Sequence, residues 1–194
     1  MSIDRLSPLP TALLECSVVD GSGQASTFEE MTRSQPTLLL FVRHFGCIGC
    51  SENIALVAPR FGELHTLGVR NVIIGCGAPN FIQGFKERNR LFGQPVEVFT
   101  DPSLTAHQAA ELNYGSWGGF GPKALYEMAR AYVSGQVSGP IEGDIKQQAG
   151  AIFVDGEGQV QLYHRADSLG DHVNTLQLVE AAMAMRIDSH PELV

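Results

Sequence analysis

Cys47 and Cys50, separated by Ile48 and Gly49, are the residues whose type and spacing best suit chemistry in this sequence. Two intervening residues let one sulfur attack a bond and the other reach back to close a small disulfide, so an oxidised sulfur is resolved within the same chain. The attacking sulfur is a nucleophile at neutral pH only to the extent that it is ionised. Position favours ionisation here. The pair stands where an apolar run ends and a helical pattern begins, which sets the sulfurs against the unpaired amides and the positive dipole end of a first helical turn. Arg43 and His44, just ahead, would add a cation beside a thiolate. Gly46 and Gly49 would let a substrate approach the backbone closely.

The elements that must hold this pair can be read from periodicity. Thr37-Leu-Leu-Leu-Phe-Val-Arg43 is apolar at nearly every position, the pattern of a strand covered on both faces. Ile54, Val57, Ala58, Phe61, Leu64 and Leu67 then follow helical spacing, with Pro59 placed to kink the helix and Gly68 to cap it. A second buried strand is expected over 69–75. Pro79 opens a helix carrying Phe81, Phe85 and Phe92 on one face as far as Gly93. Val96 to Phe99 predicts a strand, and Asp101-Pro102 a helix start running to about Leu112. Cys16 to Asp20 with its D-G-S-G turn reads as a short strand entering a hairpin or loop. Ala151 to Val154, a D-G-E-G turn and Gln159 to His164 read as a hairpin adding antiparallel strands, and a helix over Leu176 to Met185 ends the pattern. The segment Asn113 to Gly143 is expected to be an insertion, with a helix from Pro122 to Val133 presenting Leu125, Met128 and Tyr132 on one side. It reads as a surface helix, or as a lid or oligomer contact that brings Trp117 near the site.

Composition narrows the function classes. The 194 residues suggest one domain, 1–194, enlarged by the insertion over about 113–143. A net charge of −8 disfavours nucleic acid and anionic membrane surfaces as partners. The longest apolar run, Leu38 to Val42, is far too short to cross a bilayer, and MSIDRLSPLP lacks the basic and apolar regions of an export signal. The expectation is therefore a cytoplasmic protein with reduced thiols. A metal site is the main rival reading of the cysteines, but structural zinc wants two such pairs or a pair with closely spaced histidines. Cys16 and Cys76 read as small buried residues on strands, Cys76 being the one able to face the site. Gly118-Gly119-Phe120-Gly121-Pro122-Lys123 lacks the spacing of a phosphate loop, and no cofactor motif stands out. His164-Arg165 and Asp171-His172 read as a solvated loop, and His65 and His107 as surface or interface residues on helices.

The stretch Leu39-Leu-Phe-Val-Arg-His-Phe-Gly-Cys-Ile-Gly-Cys50 resembles the active-site segment of the peroxiredoxin-like 2 branch of the AhpC/TSA family, within the thioredoxin-like superfamily. Val96-Glu-Val-Phe-Thr-Asp-Pro102 is similar to the strand and Asp-Pro turn of peroxiredoxins, and the run from Gly143 to Asp155 to the branch's G-D-x-x-Q-x-G-G-x-F-V-x-D stretch, which adds Gln148 to the supporting residues. The resemblance spans about 12–186. It differs from typical peroxiredoxins, which carry P-x-x-x-T-x-x-C and an arginine before the late strand: Cys47 replaces the threonine, the proline is missing, and Gln147-Gln148-Ala149 occupies the arginine's neighbourhood.

The resemblance implies a thioredoxin-like α/β fold, a mixed central sheet flanked by helices with an N-terminal extension and a helical insertion. It implies a thiol-dependent oxidoreductase that reduces peroxides or related oxidants, needs no cofactor and is reset by an external thioredoxin- or glutathione-type thiol; a homodimer is compatible with it. Thioredoxin-type sites attack with the first cysteine, whereas the peroxiredoxin motif aligns its peroxidatic cysteine with Cys50, which favours Cys50 for peroxide and leaves Cys47 open. Two further readings stand beside this one: a reductase of organic endoperoxides, of the prostaglandin F synthase kind, and a non-catalytic redox-sensing or binding module.

Overall fold

The computed structural model describes residues 3–115, 122–136 and 138–189. The nearly unbroken apolar run at 37–43 forms β3 (Thr37–Phe41), every residue of which is buried. Its side chains alternate between two layers: Leu38 and Leu40 join the core on one face, Leu39 and Phe41 the core on the other. Each such fully buried side chain contributes about 1.5–3 kcal/mol. β4 (Arg70–Gly75) and β5 (Glu97–Thr100) follow in parallel on one side of β3, and β6 (Gly150–Val154) lies antiparallel on the other. β7 (Val160–Arg165) completes the expected hairpin, with Asp155 accepting the amides of Glu157 and Gln159 in the turn.

The N-terminal extension adds β1 (Ser17–Val19) and β2 (Ala25–Thr27), joined by a turn that the Asp20 carboxylate closes on the amides of Ser22 and Gln24. The seven strands run β2-β1-β5-β4-β3-β6-β7, a mixed sheet. One face is covered by α3 (Ile48–Thr66), α4 (Phe81–Arg88) and α7 (Thr175–Ser189). The other is covered by α1 (Thr11–Leu14), α2 (Phe28–Thr32) and α5 (Thr105–Ala109). Among the described residues no helix is long and apolar enough to cross a membrane.

α3 begins at Ile48, six residues before the first apolar position of the helical pattern, and runs through Pro59 to a Gly68 at φ +86°, the left-handed conformation that closes a helix C-terminus. Two helices are shorter than their patterns. α4 stops at Arg88, so Phe92 lies beyond the helix and exposed beneath the Lys86 ammonium instead of on the buried face of Phe85. α5 starts at Thr105, not at Pro102: Asp101 still caps it, but by reaching forward to the amide of Ala106 at 2.7 Å. In the insertion, α6 (Pro122–Val133) is present as expected. Its apolar side faces solvent, with Leu125 70% and Tyr132 73% exposed, while Glu127 and Ala131 turn inward. Trp117, Gly118, Gly119 and Gly121 lie outside the described residues, and with them the contact expected of Trp117.

Candidate active site

The site forms where β3 ends. Val42 continues the strand's bonding through its amide to the Ile74 carbonyl, and the chain then turns through Arg43–Gly46 into α3. Cys47 is the N-cap residue, with extended backbone (φ −72°, ψ 122°), and its carbonyl accepts the first helical bond from Ser51. The side chain closes no capping hydrogen bond of regular geometry; the effect of its surroundings on the sulfur is electrostatic. Interaction with the Cys50 thiol, the Arg43 charge and the amides of Cys50 and Gly49 together outweigh burial and hold the Cys47 thiol down at about 7. Cys50 goes the other way. Burial and the adjoining Cys47 sulfur push its thiol well above the ordinary range, although the Arg43 amide donates to its Sγ at 3.2 Å. Both thiols are free, and they are only 4% and 2% exposed. The structure thus acidifies Cys47, whereas alignment to the peroxiredoxin motif points to Cys50.

Arg43 is buried, with its guanidinium donating to the carbonyls of Gln147 (3.0 Å) and Ile145 (2.6 Å). This fixes a positive charge near the sulfurs and ties the active-site turn to the segment entering β6. His44 adds no cation: burial, reinforced by Arg43, lowers its imidazole to about 4, so the ring is neutral at pH 7. Gln148 is buried too, but its side-chain amide donates to the Lys146 carbonyl, and among the described residues it bonds neither sulfur.

The space beside both glycines is filled by close chain packing. A β-carbon on Gly46 would collide with the Pro140 carbonyl oxygen. The Gly46 carbonyl accepts from the Gly139 amide and the Ser138 hydroxyl, and the Phe45 amide donates to Glu142. Arg88 fastens this strap by donating to Glu142 at 2.6 Å and to the Phe45 carbonyl. On the other side, Leu169 lies against Gly49. Its loop is anchored where Ser168 and Gly170 donate to Glu127 of α6, and where His172 and Arg130 both meet Glu52 of α3 at 2.8 Å. His172 is therefore tied into the cover over the pair, while Asp171 beside it stays half-exposed. Sequence reasoning missed this cover because its partners are 41 to 120 residues apart along the chain.

Cys76 leaves the end of β4 and donates to the Arg43 carbonyl at 2.7 Å while accepting from the Asp144 amide. Burial raises its thiol to about 11, which makes it a structural tie between the active-site turn and the strap. Cys16 is buried and donates to the Ala12 carbonyl. His107, expected at an interface or on the surface, lies at the interface of α5 and the sheet, fully buried between Asp101 and the Val42 carbonyl. Among the described residues no three His, Cys, Asp or Glu side chains gather as a metal site.

Comparison with known proteins places this architecture. A family model described as AhpC/TSA antioxidant enzyme matches residues 56–168, more than half of the chain. The chain belongs to the AhpC/TSA family. The matched AhpC/TSA segment begins beyond the thiol pair and takes in β4 through β7. Among relatives, peroxiredoxin-like 2C of Mus musculus is 26% identical over 98% of this chain and 88% of its own length. A prostamide/prostaglandin F synthase of Salmo salar is 27% identical over 87% of this chain and 83% of its own. In three dimensions this AhpC/TSA chain is similar to a peroxiredoxin 6 of Arenicola marina, with TM-score 0.70 at 8% identity, covering 97% of this chain and 76% of the other, a likeness of fold.

Proposed function

We propose that this AhpC/TSA protein is a peroxidase-like thiol oxidoreductase in which Cys47 attacks and Cys50 resolves. The observation that carries this reading is the placement of the pair: Cys47 is the N-cap at the mouth of α3, beside the Arg43 charge and the amides of Gly49 and Cys50, which favour its thiolate, and Cys50 lies buried next to it in the first helical turn. The Cys47 thiolate attacks the terminal oxygen of a hydroperoxide, the O–O bond breaks, and the departing alkoxide or hydroxide takes up from solvent the proton that Cys47 released on ionising, leaving as alcohol or water. Cys47 is then a sulfenic acid. Cys50, deprotonated, attacks that sulfur, forms the Cys47–Cys50 disulfide and expels hydroxide, which is protonated to water. Two electrons from an external dithiol or a pair of monothiols, of thioredoxin or glutathione type, restore both thiols. The closed cover over Gly46 and Gly49 supports a step in which the strap or the Leu169 loop yields to admit the oxidant. A cytoplasmic, thiol-reducing compartment and a homodimer belong to the same proposal.

Cys47→Ser and Cys50→Ser, assayed for peroxide consumption with a thiol donor, test the assignment. Cys47→Ser should abolish turnover, and Cys50→Ser should leave one rapid stoichiometric oxidation without a disulfide. Full turnover in both variants would overturn it. The prostamide/prostaglandin F synthase among the relatives favours a second reading, with a bulky organic endoperoxide as oxidant. In that case the cleaved O–O bond leaves two alcohol oxygens on one product, and the rate with an endoperoxide exceeds that with hydrogen peroxide.

A further inference from the structure

On the sheet face opposite α3 lies a polar group that the thiol chemistry described above does not use. His107 of α5 is fully buried, its ring edge-on to Phe41 with centroids 5.3 Å apart. Each ring nitrogen faces an acceptor: Nδ1 lies 3.4 Å from Asp101 Oδ2, and Nε2 lies 3.3 Å from the Val42 carbonyl oxygen. Asp101 is itself held in place, accepting from the Ser103 hydroxyl and from the Ala106 amide at 2.7 Å. The Val42 oxygen and the Asp101 carboxylate can only accept, so the ring bonds both when each nitrogen carries a proton and the Val42 oxygen alone when only Nε2 does, Asp101 then holding the residue through the Ala106 and His107 amides.

That carbonyl is the other half of a group already in the site. The Val42 C=O and the Arg43 N–H belong to one peptide unit, and the Arg43 N–H donates to Cys50 Sγ at 3.2 Å. Donation to the oxygen of an amide draws electron density from its nitrogen and strengthens the N–H as a donor, an effect that low dielectric enhances. The consequence falls on Cys50. Its sulfur carries negative charge only transiently, when it attacks oxidised Cys47 and when it departs as the disulfide is reduced.

We propose that His107, oriented by Asp101, is a positioning residue that acts through the Val42–Arg43 peptide to stabilise developing charge on Cys50 and so speeds closure and reopening of the Cys47–Cys50 disulfide. This rests on the assignment of Cys47 and Cys50 above and adds a residue to it. The Arg43 amide bonds Cys50 and not Cys47, so the relay should act on disulfide closure far more than on Cys47 oxidation.

The test compares wild type, His107→Leu and His107→Gln, the last able to present an N–H to the Val42 oxygen. In single turnover with hydrogen peroxide, His107→Leu should leave the rate of Cys47 oxidation unchanged and slow disulfide closure about two- to fivefold, as expected from weakening one charge-assisted hydrogen bond. His107→Gln should recover most of the loss. In a Cys47→Ser background, alkylation of Cys50 at fixed pH should slow by the same factor in His107→Leu and recover in His107→Gln. Unchanged closure and alkylation, or an equal slowing of both oxidation and closure in Leu and Gln variants alike, would overturn the relay. If His107→Leu does not fold, Asp101→Asn takes its place, and wild-type closure and alkylation rates in that variant overturn the relay equally. A wild type that forms no Cys47–Cys50 disulfide overturns the assignment of the pair, and the alkylation comparison then decides the relay by itself.

Discussion

Leu169 sits directly on Gly49: a β-carbon at position 49 would stand 2.6 Å from both the Leu169 Cγ and its carbonyl oxygen. Part of that contact is main chain, so a side chain at 49 cannot be accommodated by a rotamer change alone. Gly49→Ala should therefore lower stability by about 1–3 kcal/mol and lift the Leu169 loop from the pair. Denaturant titration reads the first effect. The second appears as faster alkylation of Cys47, which Leu169→Ala should reproduce without the strain.

The Arg43 guanidinium makes two contributions that different substitutions separate. Its charge lowers the Cys47 thiol, and its fork satisfies the carbonyls of Ile145 and Gln147. Arg43→Met loses both, so the midpoint of Cys47 reactivity against pH should move upward from about 7 and stability should fall. Arg43→Lys keeps the charge without the fork and should hold the midpoint closer to that of the wild type while still destabilising. Iodoacetamide rates across pH, with a denaturation midpoint for each variant, check both parts.

How far these residues could be read from sequence depends on the range of the interactions that place them. The apolar run ending at Val42, the pair at 47 and 50 and the strand ending at Gly75 follow from local pattern, because a buried parallel strand and a helix N-terminus each leave a signature within a few residues. The roles of Gly46 and Gly49 do not. Glycine at those positions fits substrate approach and close chain packing equally well, and the packing shows only through Pro140 and Leu169, about 90 to 120 residues away along the chain. The choice between interface and surface for His107 stayed open for a related reason: a histidine on a short helix carries no sign of burial until the Asp101 cap and the Val42 carbonyl are seen around it. The outward apolar side of α6 could not be read at all, since periodicity gives the existence of a face but not its direction.

Stability should fall as the solution is made mildly acidic, and His44 is the cause. Burial and Arg43 lower its imidazole from 6.5 to about 4. The unfolded chain therefore takes up a proton first as the pH drops. Stability from this residue is full above about 6.5 and is lost progressively down to about 4, amounting to about 3 kcal/mol from the width of that window. Among the described residues the Nδ1 of His44 has no hydrogen-bond partner, so His44→Leu should cost little at pH 7 and should flatten the decline. Urea titrations at pH 7, 6, 5 and 4 on both proteins measure it; parallel curves would remove His44 as the cause.

The Cys50 thiol should control Cys47 by donation as much as by nearness. Interaction with Cys50 is the largest influence lowering Cys47, ahead of Arg43 and the amides. A serine at 50 retains an O–H that can donate to the Cys47 sulfur; an alanine retains nothing. If donation is the cause, Cys50→Ser should keep the Cys47 midpoint within about half a unit of wild type, and Cys50→Ala should raise it by about one unit or more, one unit corresponding to roughly 1.4 kcal/mol, within the range of a hydrogen bond to a charged group. Ultraviolet absorbance of the thiolate, followed against pH in each single-cysteine form, reads the midpoint directly. Equal midpoints for serine and alanine would mean that the helix mouth and Arg43 suffice to ionise Cys47, and that Cys50 serves only to close the disulfide.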